Sequence, residues 1–334
     1  MVPVLLAGLA AMLVSILAGP RFIAFLRRRE YGQTIREEGP AHHFAKQGTP
    51  TMGGLLMLGV AAAAYLAFAR YTVPALTVLF VTLACGAIGF LDDFIKLTHR
   101  RSLGLNGRWK LLLLALITVG VAYAARHQHL PTWVRIPVVD WKLQLSWGWY
   151  VLLFLMIAGA ANGVNLTDGL DGLAAGTGII ALFTFTAINV IAYIRSGPPG
   201  HRFDTKLDLA IIGAALIGGT IGFLWYNAFP AEVFMGDTGS MAIGGALAAF
   251  AIFTKTEFLL LLIGGIFLIE ALSVMIQVFT FKYLGRRVFL MAPIHYHFEM
   301  KAWSETKIMV RFWILTGILC ATGFALYYRY YFKR

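Results

Sequence analysis

The chain has 334 residues, 59% of them hydrophobic and only 13% charged, with a mean hydropathy of +0.74. Soluble domains carry about a quarter charged residues, so a soluble globular protein is excluded and residues 1–334 read as one all-α, polytopic membrane domain. The net charge of +12 brings no basic stripe with interleaved aromatics outside the apolar runs, which excludes nucleic acid as a partner, and Cys85 and Cys320 lie within apolar runs, which excludes a disulfide framework.

Apolar runs between charged or Pro/Gly-rich breaks predict about ten spans, each able to cross a hydrocarbon core of about 30 Å. They cover 2–26, 52–69, 73–94, 110–125, 148–166, 172–194, 209–226, 239–254, 258–280 and 308–328. The first run has no basic residue before it and Arg21 and Arg27–Arg29 after it, so it reads as a retained helix rather than a signal peptide, with its N-terminus outside. On that assignment both termini are outside, and 16 of the 28 Lys and Arg fall in inner segments. The basic excess suits anionic membrane lipids. Trp133, Trp141, Trp147 and Trp149 gather around one outer loop, as aromatic belts do.

Five aspartates fall at the inner ends of these spans. A carboxylate at the centre of a membrane helix costs about 2.5–3.5 kcal/mol, so several together call for a cation, an aqueous cavity or both. In chain order the first pair is Asp92-Asp93 in GFLDDFIK. Adjacent residues on a helix point about 100° apart, so one should bind while the other orients or takes a proton. Lys96 lies one turn on, able to pair with Asp92 or to bind phosphate, and Lys46, Arg100, Arg101, Arg108 and Lys110 lie on the same side.

NGVNLTDGLDG spaces Asn162, Asn165, Asp168 and Asp171 by three, and Gly163, Gly169 and Gly172 allow the helix to break so that these groups converge on a ligand. The bland alternative is turn and cap chemistry. WYNAFPAEVFMGDTGS offers Asn227 and Asp237 as hard oxygen ligands, Phe234 as a flat face for a base, and Ser240 beside them. Asp237 with a diphosphate suits Mg2+, although a helix cap would also use these residues. In MAPIHYHFEMKAW, His295 and His297 flank Tyr296 in a loop; zinc would want a third N or S ligand, so phosphate binding or proton transfer fits better. The Gly pairs at 218–219, 244–245 and 264–265 read as close helix packing, and no nucleotide-binding glycine motif is present.

GTPTMGG (48–54), GFLDDFIK (89–96), NGVNLTDGLDGLA (162–174), FLWYNAFPAEVFMGDTGS (223–240) and APIHYHFEMKAW (292–303) occur in an order that resembles the phospho-N-acetylmuramoyl-pentapeptide-transferases. These belong to the polyprenyl-phosphate N-acetylhexosamine-1-phosphate transferases. The resemblance implies Mg2+-dependent transfer of phospho-MurNAc-pentapeptide from UDP-MurNAc-pentapeptide to undecaprenyl phosphate, giving lipid I and UMP in peptidoglycan synthesis at the cytoplasmic face of the bacterial inner membrane. It implies Asp237 as metal ligand, Asp92 and Asp93 serving the lipid phosphate or the metal, and a donor pocket of Lys46, Thr51, Asn165, Asp168, Asp171, Asn227 and Phe234. His295 and His297 would meet phosphate or sugar, with Ser240 and Gln277 as further contacts, and a homodimer is compatible with it. The family usually has three consecutive histidines where this chain has His295, Tyr296 and His297, so the middle residue here is no neutral-pH base. Two other readings are a sister transferase using UDP-GlcNAc and an ion-coupled transporter; the latter expects ionisable groups at the membrane midplane, where only Glu270 lies well inside a span.

Overall fold

A computed structural model describes residues 1–29, 48–99, 104–198 and 201–331, so Lys46, Arg100 and Arg101 lie outside the described residues. The helices are α1 (Val2–Arg28), α2 (Gly54–Phe68), α3 (Val73–Thr98), α4 (Gly107–His127), α5 (Gly148–Thr167), α6 (Leu173–Arg195), α7 (Asp204–Asn227), α8 (Gly236–Phe253), α9 (Glu257–Ile263), α10 (Gly265–Leu284), α11 (Ile294–Glu299) and α12 (Glu305–Tyr330). Among the described residues nine of these are long and apolar enough to cross a membrane. A bilayer core offers no water to backbone amides, so long apolar sequence becomes helix there almost by necessity.

Three expectations change in detail. The second span is only the 15-residue α2, about 22 Å long, because the chain before it turns at Met52 (φ 70) and residues 50–54 exchange backbone bonds with Phe234 and Met235. The span expected at 258–280 breaks at Gly264, between α9 and α10, so this glycine pair marks a helix break as well as the close packing of Gly265 on Leu319 of α12. Between α4 and α5, β1 (Trp133–Ile136) and β2 (Trp141–Gln144) form an antiparallel hairpin with Trp133 opposite Gln144, the one sheet among the described residues. Lys142 and Lys255 lie over Trp133 of this hairpin, and Lys255 also over Trp149 of α5.

Helix α8 is the hub. Of its apolar window 89% is buried, against 28% for α1 and α12, and it packs along α3 and α5. Its sequence is rich in Gly and Ala, which lets neighbouring backbones come close. The α3–α8 crossing is tightest at Gly89, where a Cβ would stand 2.1 Å from the Asp237 carbonyl oxygen. No larger residue fits there without parting the two helices, and the crossing sets Asp92 and Asp93 beside Asp237.

The far end of α3 is closed by a different carboxylate. Asp208 of α7, fully buried, accepts the N–H groups of Arg70 (2.8 Å) and Thr72 (2.7 Å) and the hydroxyls of Thr72 and Tyr65. It thereby caps α3 in place of a side chain from α3 itself. From Val73 to Asp92 the helix rises about 28 Å, so Asp208 and the Asp92 cluster sit at opposite ends of the bundle.

Candidate active site

The helices run longer at this end than the apolar runs alone indicate. α3 continues to Thr98, keeping Asp92, Asp93 and Lys96 on one rigid helix, and α8 starts at Gly236, placing Asp237 in its first turn. Carboxylate oxygens of Asp92, Asp93 and Asp237 lie within 4.8 Å of one another. Such a group is stable only with compensating charge. Two lysines supply it: Lys96 Nζ is 2.6 Å from Asp92 and 3.1 Å from Asp237, and Lys110 Nζ is 2.9 Å and 3.1 Å from the same two carboxylates. Asp92 also accepts the Leu105 N–H at 2.7 Å.

Asp93 faces the other way, as the 100° offset requires. It accepts the backbone N–H groups of Asp237 (3.1 Å) and Thr238 (3.0 Å) and the Thr238 hydroxyl (2.8 Å). No side chain of α8 caps its own N-terminus, and Asp93 does so from α3. The expected division of labour within the pair therefore has a concrete form: Asp92 faces the lysines and Asp93 holds the helix that carries Asp237.

Residues of the 162–172 and 223–240 motifs approach the same cluster. Helix α5 runs unbroken through Gly163 and ends at Thr167, and the chain reverses over 168–172, with Gly172 at φ 73. Asp168 lies beside the Gly236 backbone and Asn165 beside Asp237, and the Asn165 amide donates to the Ser240 hydroxyl at 3.0 Å. Ser240 donates to the Gly236 carbonyl at 2.9 Å. Asp171 is buried and accepts the Ala231 N–H at 3.0 Å. Asn227 accepts the Gly172 N–H (3.1 Å) and donates to Val233 O (2.9 Å), so its carboxamide stitches the two motif loops together. Thr51 and Met52, the latter at φ 70, lie against Gly236, and Phe234, half-buried, exchanges backbone bonds with Pro50 and Gly53 at 2.8 and 2.9 Å.

The histidine motif is a short helix, α11, not a loop. His295 is fully buried with Nδ1 3.0 Å from Glu270 Oε1. His297 accepts the Leu290 N–H (3.1 Å), and burial, then Lys301, lower its pKa. Gln277 clasps Val288 and Phe289 through three bonds. Neither His297 nor Gln277 bonds to the aspartates.

Lys110 is the residue whose centrality sequence reasoning missed. It counts there only as one inner-side base among several, and α4 must fold back along α3 before it meets Asp92 and Asp237. A helix start at Asn106, whose side chain accepts the Arg108 N–H, is the local signal that Lys110 faces inward one turn later.

Burial first, then the carboxylates of Asp237, Asp93 and Asp171, push the Asp168 carboxyl well above the usual carboxylate range. An acid raised on folding penalises the native state once pH exceeds its unfolded value, about 3.9, and the penalty grows until the folded pKa is passed. Asp168→Asn, which removes the charge at nearly the same size, should therefore raise the unfolding temperature in chelator at neutral pH and not at pH 4. A stability difference independent of pH would contradict this electrostatic account.

A model of glycosyl transferase family 4 matches residues 75–255, and a phospho-N-acetylmuramoyl-pentapeptide-transferase signature matches residues 46–58. The chain is 49% identical to the phospho-N-acetylmuramoyl-pentapeptide-transferase of Rubrobacter xylanophilus over 98% of both chains. It is 46% identical to that of Geobacillus thermodenitrificans over 95% of both, and 44% identical to that of Bacillus subtilis over 96% of both. With carboxylates, lysines and the 168–172 turn gathered at one end of a membrane bundle, and relatives this close along nearly the whole length, the chain belongs to the phospho-N-acetylmuramoyl-pentapeptide-transferase family.

Proposed function

We propose that this chain transfers phospho-MurNAc-pentapeptide from UDP-MurNAc-pentapeptide to undecaprenyl phosphate, forming lipid I and UMP, with Mg2+ as cofactor. The observation that carries the reading is the juxtaposition of Asp92, Asp237, Lys96 and Lys110 with the Asp168–Asp171 turn. Hard carboxylate oxygens suit Mg2+, which takes one or two carboxylates and completes its shell with substrate phosphates and water. Asp237 and Asp92 would hold the ion, since Asp93 is engaged by α8. When bound, it supplies positive charge against the diphosphate.

The reaction needs positioning and charge neutralisation more than covalent chemistry. An oxygen of the lipid phosphate attacks the sugar-linked phosphorus, the bond to the bridging diphosphate oxygen breaks, and UMP leaves with that oxygen. Lys96 and Lys110 bring two positive charges to the place where the leaving phosphate gains negative charge. Asp92 orients the acceptor phosphate, which is already largely ionised at neutral pH. A covalent phospho-aspartate is less well supported, because Asp92 is paired with two lysines and an N–H and Asp93 accepts three donors from α8.

In this reading the chain acts as one transferase unit in the bacterial cytoplasmic membrane, with both termini outside and the site facing the cytoplasm. The basic inner loops support that orientation. The test is UMP release from UDP-MurNAc-pentapeptide or UDP-GlcNAc, with undecaprenyl phosphate and Mg2+. Release from the first donor, abolished by chelator, is the expected result; turnover of UDP-GlcNAc alone would reject the assignment, and a labelled phosphoenzyme formed without lipid acceptor would reject direct attack.

A further inference from the structure

Glu270 is an anomaly that the proposed chemistry does not use. It lies on the second turn of α10, fully buried, and its only ion-pair partner among the described residues is His295, also fully buried. An apolar membrane helix keeps such a group only when its partner is fixed and hydrogen-bonded. Glu270 Oε1 stands 3.0 Å from His295 Nδ1, while His295 Nε2 has no hydrogen-bond partner among the described residues. A carboxylate that accepts here calls for the proton on Nδ1, a tautomer that the ring shifts below read directly. The opposite tautomer would set a ring lone pair against the carboxylate.

With Nδ1 turned to α10, the far edge of the ring has one direction left. Nε2 lies against Gly169: a Cβ built there would stand 2.3 Å from Nε2 and 2.8 Å from the Tyr296 hydroxyl. Tyr296 bonds to the Gly169 carbonyl at 3.4 Å, and its ring lies 4.2 Å from that of His295. Gly169 sits in the turn between Asp168 and Asp171. Glu270, 25 residues before His295, thus connects through one imidazole to the turn that faces Asp237.

We infer that Glu270 is a positioning residue for the transfer: by accepting the Nδ1–H it fixes the His295 ring, so that Nε2 is always the nitrogen presented to the 168–172 turn and to the donor seated there. The inference rests on the transferase reading for what the turn binds, while the pairing itself stands on the geometry. A carboxylate that orients a histidine through one nitrogen controls the chemistry at the other; at metal-bound histidines the removal of such outer partners costs about 10–100-fold, and a loss of the same order is expected here.

The experiment compares wild type, Glu270→Gln and Glu270→Ala in UMP release with UDP-MurNAc-pentapeptide and undecaprenyl phosphate. It also records ring nitrogen shifts of 15N-histidine-labelled protein, with His295 assigned by its loss in His295→Gln. The carboxamide oxygen of glutamine can still accept the Nδ1–H, so E270Q should keep most of the activity and an Nδ1-protonated ring. E270A should lose roughly 10–100-fold, with the ring shifts averaging between tautomers. Equal loss in E270Q and E270A, or full activity in both, overturns the inference, as does a wild-type ring unprotonated at Nδ1. Should E270A fail to fold, E270Q and the wild-type shifts still decide. Absence of UMP release by wild type would overturn the functional reading alone, and the ring shifts would then test the pair by themselves.

Discussion

Asp237→Asn is expected to abolish UMP release, by roughly 10³-fold, while leaving the unfolding temperature close to that of wild type. The size follows from what the charge is asked to do: a carboxylate-held cation at a diphosphate supplies several kcal/mol of transition-state stabilisation. The preserved fold follows from the hydrogen-bond pattern. Asp237 is tied to Asp93 through its backbone N–H, which asparagine keeps, and Lys96 and Lys110 retain Asp92 as a partner. Assays of purified variant across a Mg2+ titration, with thermal unfolding alongside, provide the check. Retained Mg2+-dependent turnover would defeat the metal assignment.

Asp93→Ala should fail for a different reason. It removes the acceptor for two backbone N–H groups and one hydroxyl at the start of α8, of which the Thr238 N–H and hydroxyl are buried. Loss of a helix cap costs about 1 kcal/mol, and each of the two buried donors left unsatisfied adds about 1–3 kcal/mol, so a destabilisation of at least about 3 kcal/mol is expected with loss of activity. Asp93→Asn should lie between, since its oxygen serves some donors while its NH2 turns a donor towards the rest. Thermal unfolding separates this from a directly reacting Asp93: an unchanged unfolding temperature with activity gone would place the carboxylate among the reacting groups.

These two aspartates show how much of the site is legible in the sequence. That carboxylates at the wet ends of apolar spans mark a site is a statement about solvation, and it needs no coordinates. That Asp93 serves α8 while Asp92 serves the lysines depends on which face of α3 meets α8, and Gly89 decides that by admitting the Asp237 carbonyl. Lys110 reads as one base among several until α4 folds back on α3. His295 and Tyr296 read as a loop pair until Gly169 is found beneath them.

The sequence by itself determined the class, the helices and the end of the bundle where chemistry collects. In a bilayer every backbone amide must be satisfied within its own segment, so an apolar run of the right length can hardly be anything but a helix, and charge is pushed to its ends. Only the tertiary structure decided the partners: Asp93 with Thr238 across 145 positions, Lys110 with Asp237 across 127, His295 with Glu270 across 25. It also decided the break at Gly264 and the hairpin at 133–144. Hydropathy acts through each residue's own transfer from water and is readable one residue at a time. A hydrogen bond between helices requires two backbones to meet at a given angle and depth, and small residues scattered along the whole chain set that meeting together.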